Sequence, residues 1–329
     1  MDSLTQALLG ATVAGACAPR GHRRKALLAG AALGTLPDLD VVIRYGDAVK
    51  NFTFHRGFSH SLFVLLPFSV GLWALLRRWW SPVRAAPLPW LAAIALALLT
   101  HPLLDAHTAY GTQLFWPLQS PPVMWSTMFI IDPLYTLPLI IAVIIAAISP
   151  ATRRAGTALV AGLALSTMYV AWSWVGKLQV EHHAREELAR LGMVGAPLFS
   201  GPTPFNTLLW RVVVLTENGY LEGYDSLLVD EERIRFESYV TDNKTLQAAS
   251  NVWAVSRLRW FAQDFLKTEV RDRRLVLTDL RMGAEPQYVF SHVVAEYGNP
   301  HWKPVPTELL PVRFSRGDLD EFIERFWTE

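Results

Sequence analysis

Residues 88–106 read LPWLAAIALALLTHPLLDA. No Asp, Glu, Lys or Arg occurs in 88–104, and a helix rising about 1.5 Å per residue over this stretch comes close to the roughly 30 Å of a bilayer core. The stretch nonetheless ends in His101 and Asp105. Ionisable side chains at membrane depth cost roughly 2.5–3.5 kcal/mol each on insertion scales, so they need a reason to be there. A membrane helix with a polar end is the unit from which the rest of the chain is read.

Working outward, segments 58–76, 127–148 and 156–175 share the length and the scarcity of charge expected of membrane spans. Two shorter apolar segments, 4–18 and 26–36, fall below the ~20 residues that a straight crossing needs. Gly10, Ala11, Ala14 and Gly15 in the first, with Gly30, Ala31 and Gly34 in the second, favour helices packed closely against the others. The expected fold is an α-helical polytopic membrane bundle of four to six membrane helices over residues 1–180. An amphipathic helix and linker follow over 181–200, the linker at Gly201-Pro202-Thr203-Pro204. A soluble α+β domain is expected over 201–329. Its signals are strands at 208–216, 220–228 and 233–239, turns at Asn218-Gly219 and Asp230-Glu231-Glu232, a helix near 252–265, and strands near 274–281 and 287–296. The division matches composition: the chain of 329 residues is 51% hydrophobic, yet most acidic side chains follow residue 181.

A formal net charge of +1 argues against a nucleic-acid partner, whose phosphates call for Lys and Arg concentrated on one face. The single cysteine, Cys17, forms no internal disulfide and says nothing about redox compartment. The start lacks the basic region of a cleaved signal peptide, the first basic residue being Arg20, so the first apolar segment is expected to be retained. If all six segments cross, Arg20, Arg23, Arg24, Lys25, Arg77, Arg78, Arg84, Arg153 and Arg154 fall on one side. Arg44, Lys50 and Arg56 fall on the other, nine against three. The positive-inside tendency makes the first side cytoplasmic. It then places Asp38, Asp40, His55, His101, Asp105 and the carboxyl-terminal domain together on the extracytoplasmic side.

Those polar residues form the candidate site. Asp38 and Asp40 close the second helix, either as a polar helix exit or as oxygen ligands. His55 and His60 flank the start of the third, with Gly57 permitting a bend; they suit metal ligation or hydrogen bonds to headgroups. His101 and Asp105 are four apart and share a helix face, suiting chelation or a carboxylate that orients a histidine. Asp132 before Pro133 reads as a helix cap or as a further ligand on the same side. His107 points elsewhere and is left out. The metal ligand set is thus Asp38, Asp40, His55, His60, His101, Asp105 and Asp132. Imidazole mixed with carboxylate suits Zn or Mn over Ca or Mg, and seven candidates exceed one tetrahedral ion, so more than one ion is considered. Arg56 either holds an anionic substrate oxygen or snorkels to headgroups; Arg56 and Asp105 are the candidate catalytic groups. Ser59 or Ser61 beside His60 makes a poor nucleophile pair, since adjacent helical residues diverge and no G-x-S-x-G elbow is present.

Asp2-Ser3-Leu4-Thr5-Gln6, Pro37-Asp38-Leu39-Asp40, His55-Arg56-Gly57-Phe58-Ser59-His60-Ser61, Thr100-His101-Pro102-Leu103-Leu104-Asp105, Tyr110-Gly111-Thr112-Gln113 and Asp132-Pro133-Leu134-Tyr135 together resemble the YdjM family. The resemblance covers about residues 1–180 and extends, as in longer members, to Pro202-Thr203-Pro204-Phe205-Asn206 and Leu209-Trp210-Arg211. It implies a bacterial inner-membrane protein and a metal-dependent hydrolase, under LexA control in some members. It also implies kinship with zinc-dependent phospholipase C and single-strand nuclease folds, hence phosphodiester chemistry. The expected activity is hydrolysis of a phosphoester of a membrane lipid or small amphiphile, with protein partners open. The alternative is a divalent-cation transporter or a metal-stabilised membrane protein without catalysis. An ion path needs polar residues at mid-membrane, whereas the middles of 62–75, 91–99 and 136–148 are apolar, which favours a one-sided site.

Overall fold

Asp2 turns its carboxylate onto the free amides of Leu4 and Thr5 and so starts α1 (Ser3–Cys17). In the computed structural model, which describes residues 1–228 and 233–311, seven further helices follow before the first strand. They are α2 (Arg23–Thr35), α3 (Ala48–Phe54), α4 (Leu62–Trp79), α5 (Ser81–Ala85), α6 (Pro87–Asp105), α7 (Pro133–Ile148) and α8 (Arg153–Arg190). Among the described residues three helices, α4, α6 and α8, are long and apolar enough to cross a membrane, whereas α1 and α7 are apolar but shorter. Residues 127–132, expected as the start of a span, carry no helix. Asp132 and Pro133 begin α7 there, the carboxylate accepting from Leu134 and Tyr135 at 3.1 and 3.3 Å. The expected span at 156–175 and amphipathic helix at 181–191 join in one helix of 38 residues.

The chain divides into two compact units. The first comprises Met1–Ile43, His55–Trp174 and Pro204–Asn206, with α1 at its centre. Leu9 and Val13 pack with Leu104, Tyr135 and Leu139. Ala11 packs with Leu27, Ala142 and Leu159, and Ala14 with Ala26, Trp90 and Ala93. Against α2 the approach is backbone to backbone: a Cβ built at Gly30 would lie 2.2 Å from the Gly10 carbonyl oxygen, and one at Gly34 2.4 Å from that of Gln6. Only glycine fits these crossings.

The second unit takes Arg44–Phe54, Val175–Thr203 and the chain from Thr207 onward. Its elements are β1 (Leu198–Pro202), β2 (Leu209–Leu215), β3 (Gly219–Ser226), β4 (Glu237–Val240), α9 (Asn243–Ala248), α10 (Trp253–Ala262), β5 (Leu266–Arg271), β6 (Arg274–Asp279), β7 (Gly283–Ala284), β8 (Gln287–Tyr288), β9 (Ser291–Tyr297) and β10 (Trp302–Leu309). Among the described residues these form two four-stranded antiparallel sheets, ordered β1-β2-β3-β4 and β10-β9-β6-β5, with β7-β8 a separate hairpin. The Gly201-Pro202 expected in a linker instead ends β1, an edge strand where Pro202 opposite Trp210 leaves no ladder donor missing inside the sheet. Val180, Ala184 and Leu188 of α8 pack on Trp210, Val212 and Val214, which explains the amphipathic pattern. Helix α3 belongs to this unit: Phe52 lies 4.8, 4.6 and 5.1 Å from the rings of Phe261, Phe290 and His292. The expected acidic turn at Asp230-Glu231-Glu232 lies outside the described residues.

Candidate metal centre

Three chain segments bring side chains together at one end of the first unit. After α2, Pro37 opens a short turn, Pro37–Val42, that carries Asp38 and Asp40. A second turn, Phe58–His60, stops at Ser61, whose hydroxyl caps α4 by accepting from Phe63 at 3.2 Å. His101 and Asp105 occupy the last turn of α6. Asp38, His60, His101 and Asp105 each offer a ligand atom, all within 4.8 Å of one another.

The outward nitrogens of both histidines are committed. His101 Nδ1 donates to the Gly34 carbonyl at 2.5 Å. Ser59 Oγ gives its proton to Asp40 Oδ2 at 2.6 Å and therefore accepts from His60 Nδ1 at 2.9 Å. Each Nε2 therefore faces inward, and the two lie 3.1 Å apart. Asp105 Oδ1 is satisfied by Gln6 Nε2 at 2.8 Å and by the Met1 amine, whereas its buried Oδ2 has no hydrogen bond. That oxygen is ion-paired with Arg56 at 3.1 Å and lies 3.2 Å from His60 Nε2 and 3.5 Å from His101 Nε2. Asp38 Oδ1 lies 3.4 Å from both nitrogens. A tetrahedral zinc with bonds of about 2.0–2.1 Å has ligand atoms about 3.3–3.4 Å apart along its edges. The donor set therefore fits one such ion in number, chemistry and spacing, and its two carboxylates balance a divalent charge. His60, His101 and Asp105 are fully buried, while the Asp38 side chain is 18% exposed, so the centre is open on the Asp38 side.

The other residues singled out in the sequence stand around this set. Asp40 faces His55, its Oδ1 2.7 Å from His55 Nδ1, and its Oδ2 also accepts from the Arg56 amide at 3.0 Å. Burial alone would raise the Asp40 carboxyl, but the hydrogen bonds from His55 and Ser59 hold it below the usual carboxylate range. Arg56 is buried rather than snorkelling. It adopts φ +58°, a conformation that costs a non-glycine residue and clusters at functional sites; bonds from its amide to Asp40 and from Gln113 to its carbonyl hold it there. Its Nε sits 3.1 Å from Asp105 Oδ2, its Nη1 donates to Thr108 at 3.1 Å, and its guanidinium lies over Tyr110 at 5.0 Å. Asp132 caps α7 and accepts from Tyr169 at 2.9 Å, apart from the four. His107 bonds the Leu103 carbonyl at 2.9 Å and stacks with Trp125. Gln6, Ser59 and Tyr110 were not among the expected site residues, although each lies in a motif quoted above. Residue type alone could not show which of their atoms faced the centre.

Residues 1–180 match the family model described as YdjM inner membrane protein. The chain belongs to this family. Among curated proteins, Inner membrane protein YbcI of Escherichia coli (strain K12) is 39% identical over 93 residues, 27% of this chain and 51% of the relative. The chain thus spans about half the length of the curated relative it matches. No solved structure matches it. Membership of the YdjM family, together with the apolar helices α4, α6 and α8, supports a bacterial inner-membrane location. All four residues of the metal cluster lie inside the matched region.

Proposed function

We propose that this YdjM-family protein is a membrane-bound hydrolase that uses a divalent metal ion, zinc or manganese, to cleave a phosphoester. The observation that carries the reading is the set of four mutually facing ligand atoms. Two imidazole nitrogens and two carboxylate oxygens converge at 3.1–3.5 Å, a mixed nitrogen and oxygen donor set that a divalent cation would bind. Held by Asp38, His60, His101 and Asp105, an ion would supply Lewis acidity, and it would activate a water only by taking it as an additional ligand on the open Asp38 side.

The chain's own groups account for the remaining chemistry. Arg56 holds a cationic N–H face beside Asp105, suited to an anionic substrate oxygen. His55 Nδ1 faces Asp40 Oδ1, and in its imidazolium form, bonded there through Nδ1–H, His55 would carry a second proton on Nε2 for the leaving oxygen. In balance, the oxygen of water would bond to phosphorus, the phosphorus–alcohol bond would break, the leaving oxygen would take the proton of the His55 imidazolium, and the proton released by water would restore that imidazolium. A single ion held by four residues would replace the larger set of seven ligands, because Asp40 and His55 satisfy each other and Asp132 serves α7. The transporter alternative has less support, since residues 87–99 of α6 are without ionisable groups. The test is turnover of bis(p-nitrophenyl) phosphate by the purified chain. Activity lost to a chelator, restored by zinc or manganese and absent from His101→Ala supports the reading; activity indifferent to chelation, or none in metal-replete protein, overturns it.

A further inference from the structure

Residues 106–131 contain no Asp, Glu, Lys or Arg and form no helix. A connection of that length facing water would normally carry charge. Here Phe115, Trp116, Leu118, Ile130 and Ile131 are 40, 41, 60, 41 and 45% exposed. Non-helical backbone survives at lipid depth only where its polar groups find partners within the protein, and the base of this segment is so bonded. Thr112 and Val123 exchange both backbone hydrogen bonds, Trp125 N donates to Ala106 O at 2.7 Å, and Thr127 N and Met128 N both donate to His107 O. Gln113 N reaches Arg56 O, and Leu62 N reaches Leu114 O at 2.9 Å. Those bonds tie the segment to the end of α6 and the start of α4, the same end at which His101, Asp105 and His60 meet. The Trp116 ring lies 6.3 Å from that of Phe58, two residues before His60. Beside Asp38, Leu39, Val41 and Val42 are 57, 73 and 77% exposed.

We propose that residues 106–131 form an uncharged wing embedded in the headgroup boundary of the bilayer. Its outward apolar face is covered by lipid, so the metal centre opens at lipid depth onto a membrane-resident amphiphile whose phosphate lies at headgroup level. Interfacial aromatic residues suit that depth, and continuity with α4 and α6 fixes lipid as the occupant. The depth of the wing stands independently; the substrate class rests on the hydrolase reading.

Depth is measured with a nitroxide at Leu118→Cys in a Cys17→Ser background, in nanodiscs of phosphatidylcholine and phosphatidylglycerol. Labels at Leu66→Cys on the exposed face of α4 and at Asn218→Cys in the β2–β3 turn serve as lipid and water references. The wing predicts that the label at 118 is more open to oxygen than to a water-soluble nickel chelate, as at 66. Access to the chelate equal to that at 218 overturns it. On the same preparation, bilayer phosphatidylglycerol should exceed its water-soluble dibutyryl analogue by about tenfold or more in kcat/KM, because the remote acyl chains contribute binding energy; equal values overturn the substrate class. An embedded label with no metal-dependent hydrolysis of either overturns the hydrolase reading and leaves the wing standing.

Discussion

His60 and His101 each have one ring nitrogen held by the protein, and that commitment turns the other toward the centre. Removing the holder should therefore weaken metal binding without removing a ligand. Ser59→Ala and Asp40→Asn are expected to lower metal affinity about 10–100-fold, the usual cost of losing a partner that orients a ligand, as read by competition with a calibrated chelator; unchanged affinity would mean that Nδ1 of His60 is held otherwise. The His101–Asp105 pair was legible because a spacing of four places both on one helix face. The pairing of Asp40 with His55 was not, because sequence shows which residue types are near, not whose oxygen is already taken. In the second unit, burial pushes the His292 imidazole down to about 4, whereas an unfolded histidine titrates near about 6.5. The unfolded chain then binds the proton that the folded one refuses. Stability is full above about pH 6.5 and falls as pH drops toward 4, by up to about tenfold in the folding equilibrium per pH unit. Thermal unfolding of the full chain between pH 7 and 5 should show a larger loss in wild type than in His292→Gln; parallel losses would assign the slope elsewhere.

Between elements, the close crossing of α1 and α2 does two things at once: it packs the centre of the first unit and it holds the Gly34 carbonyl against His101. Gly30→Leu should force the helices apart at a cost of about 1–3 kcal/mol or more and weaken metal binding along with stability. Differential scanning of detergent-purified protein, beside its metal content, checks this; a loss of stability with metal affinity intact would separate packing from the site. The small-residue pattern made this crossing readable in advance. Other boundaries were hidden for physical reasons. The apolar residues before Asp132 look like a membrane span by hydropathy although they lie in an uncharged, non-helical connection. Helix α3 offers no amphipathic signal of its own length, since its partners Phe261, Phe290 and His292 come from far along the chain.

For the whole molecule, the Lys and Arg bias predicts that the candidate centre and the carboxyl-terminal unit lie outside the cytoplasm. A membrane-impermeant maleimide should label Asn218→Cys, in a Cys17→Ser background, in intact spheroplasts as fully as in lysed ones; labelling only after lysis would reverse the orientation. The division into a helical region and a β-rich region was visible in composition, whereas the number of full-length spans was not, because α1 and α7 are apolar yet short. The proposal that one divalent ion sits among Asp38, His60, His101 and Asp105 is tested most directly by mass-spectrometric metal content. The wild-type chain, purified in detergent without chelator, is compared with a folded His60→Ala, His101→Ala double variant. One zinc or manganese per chain in the wild type and none in the variant is the predicted result; a metal-free wild type would contradict it and leave the facing nitrogens to share a proton instead.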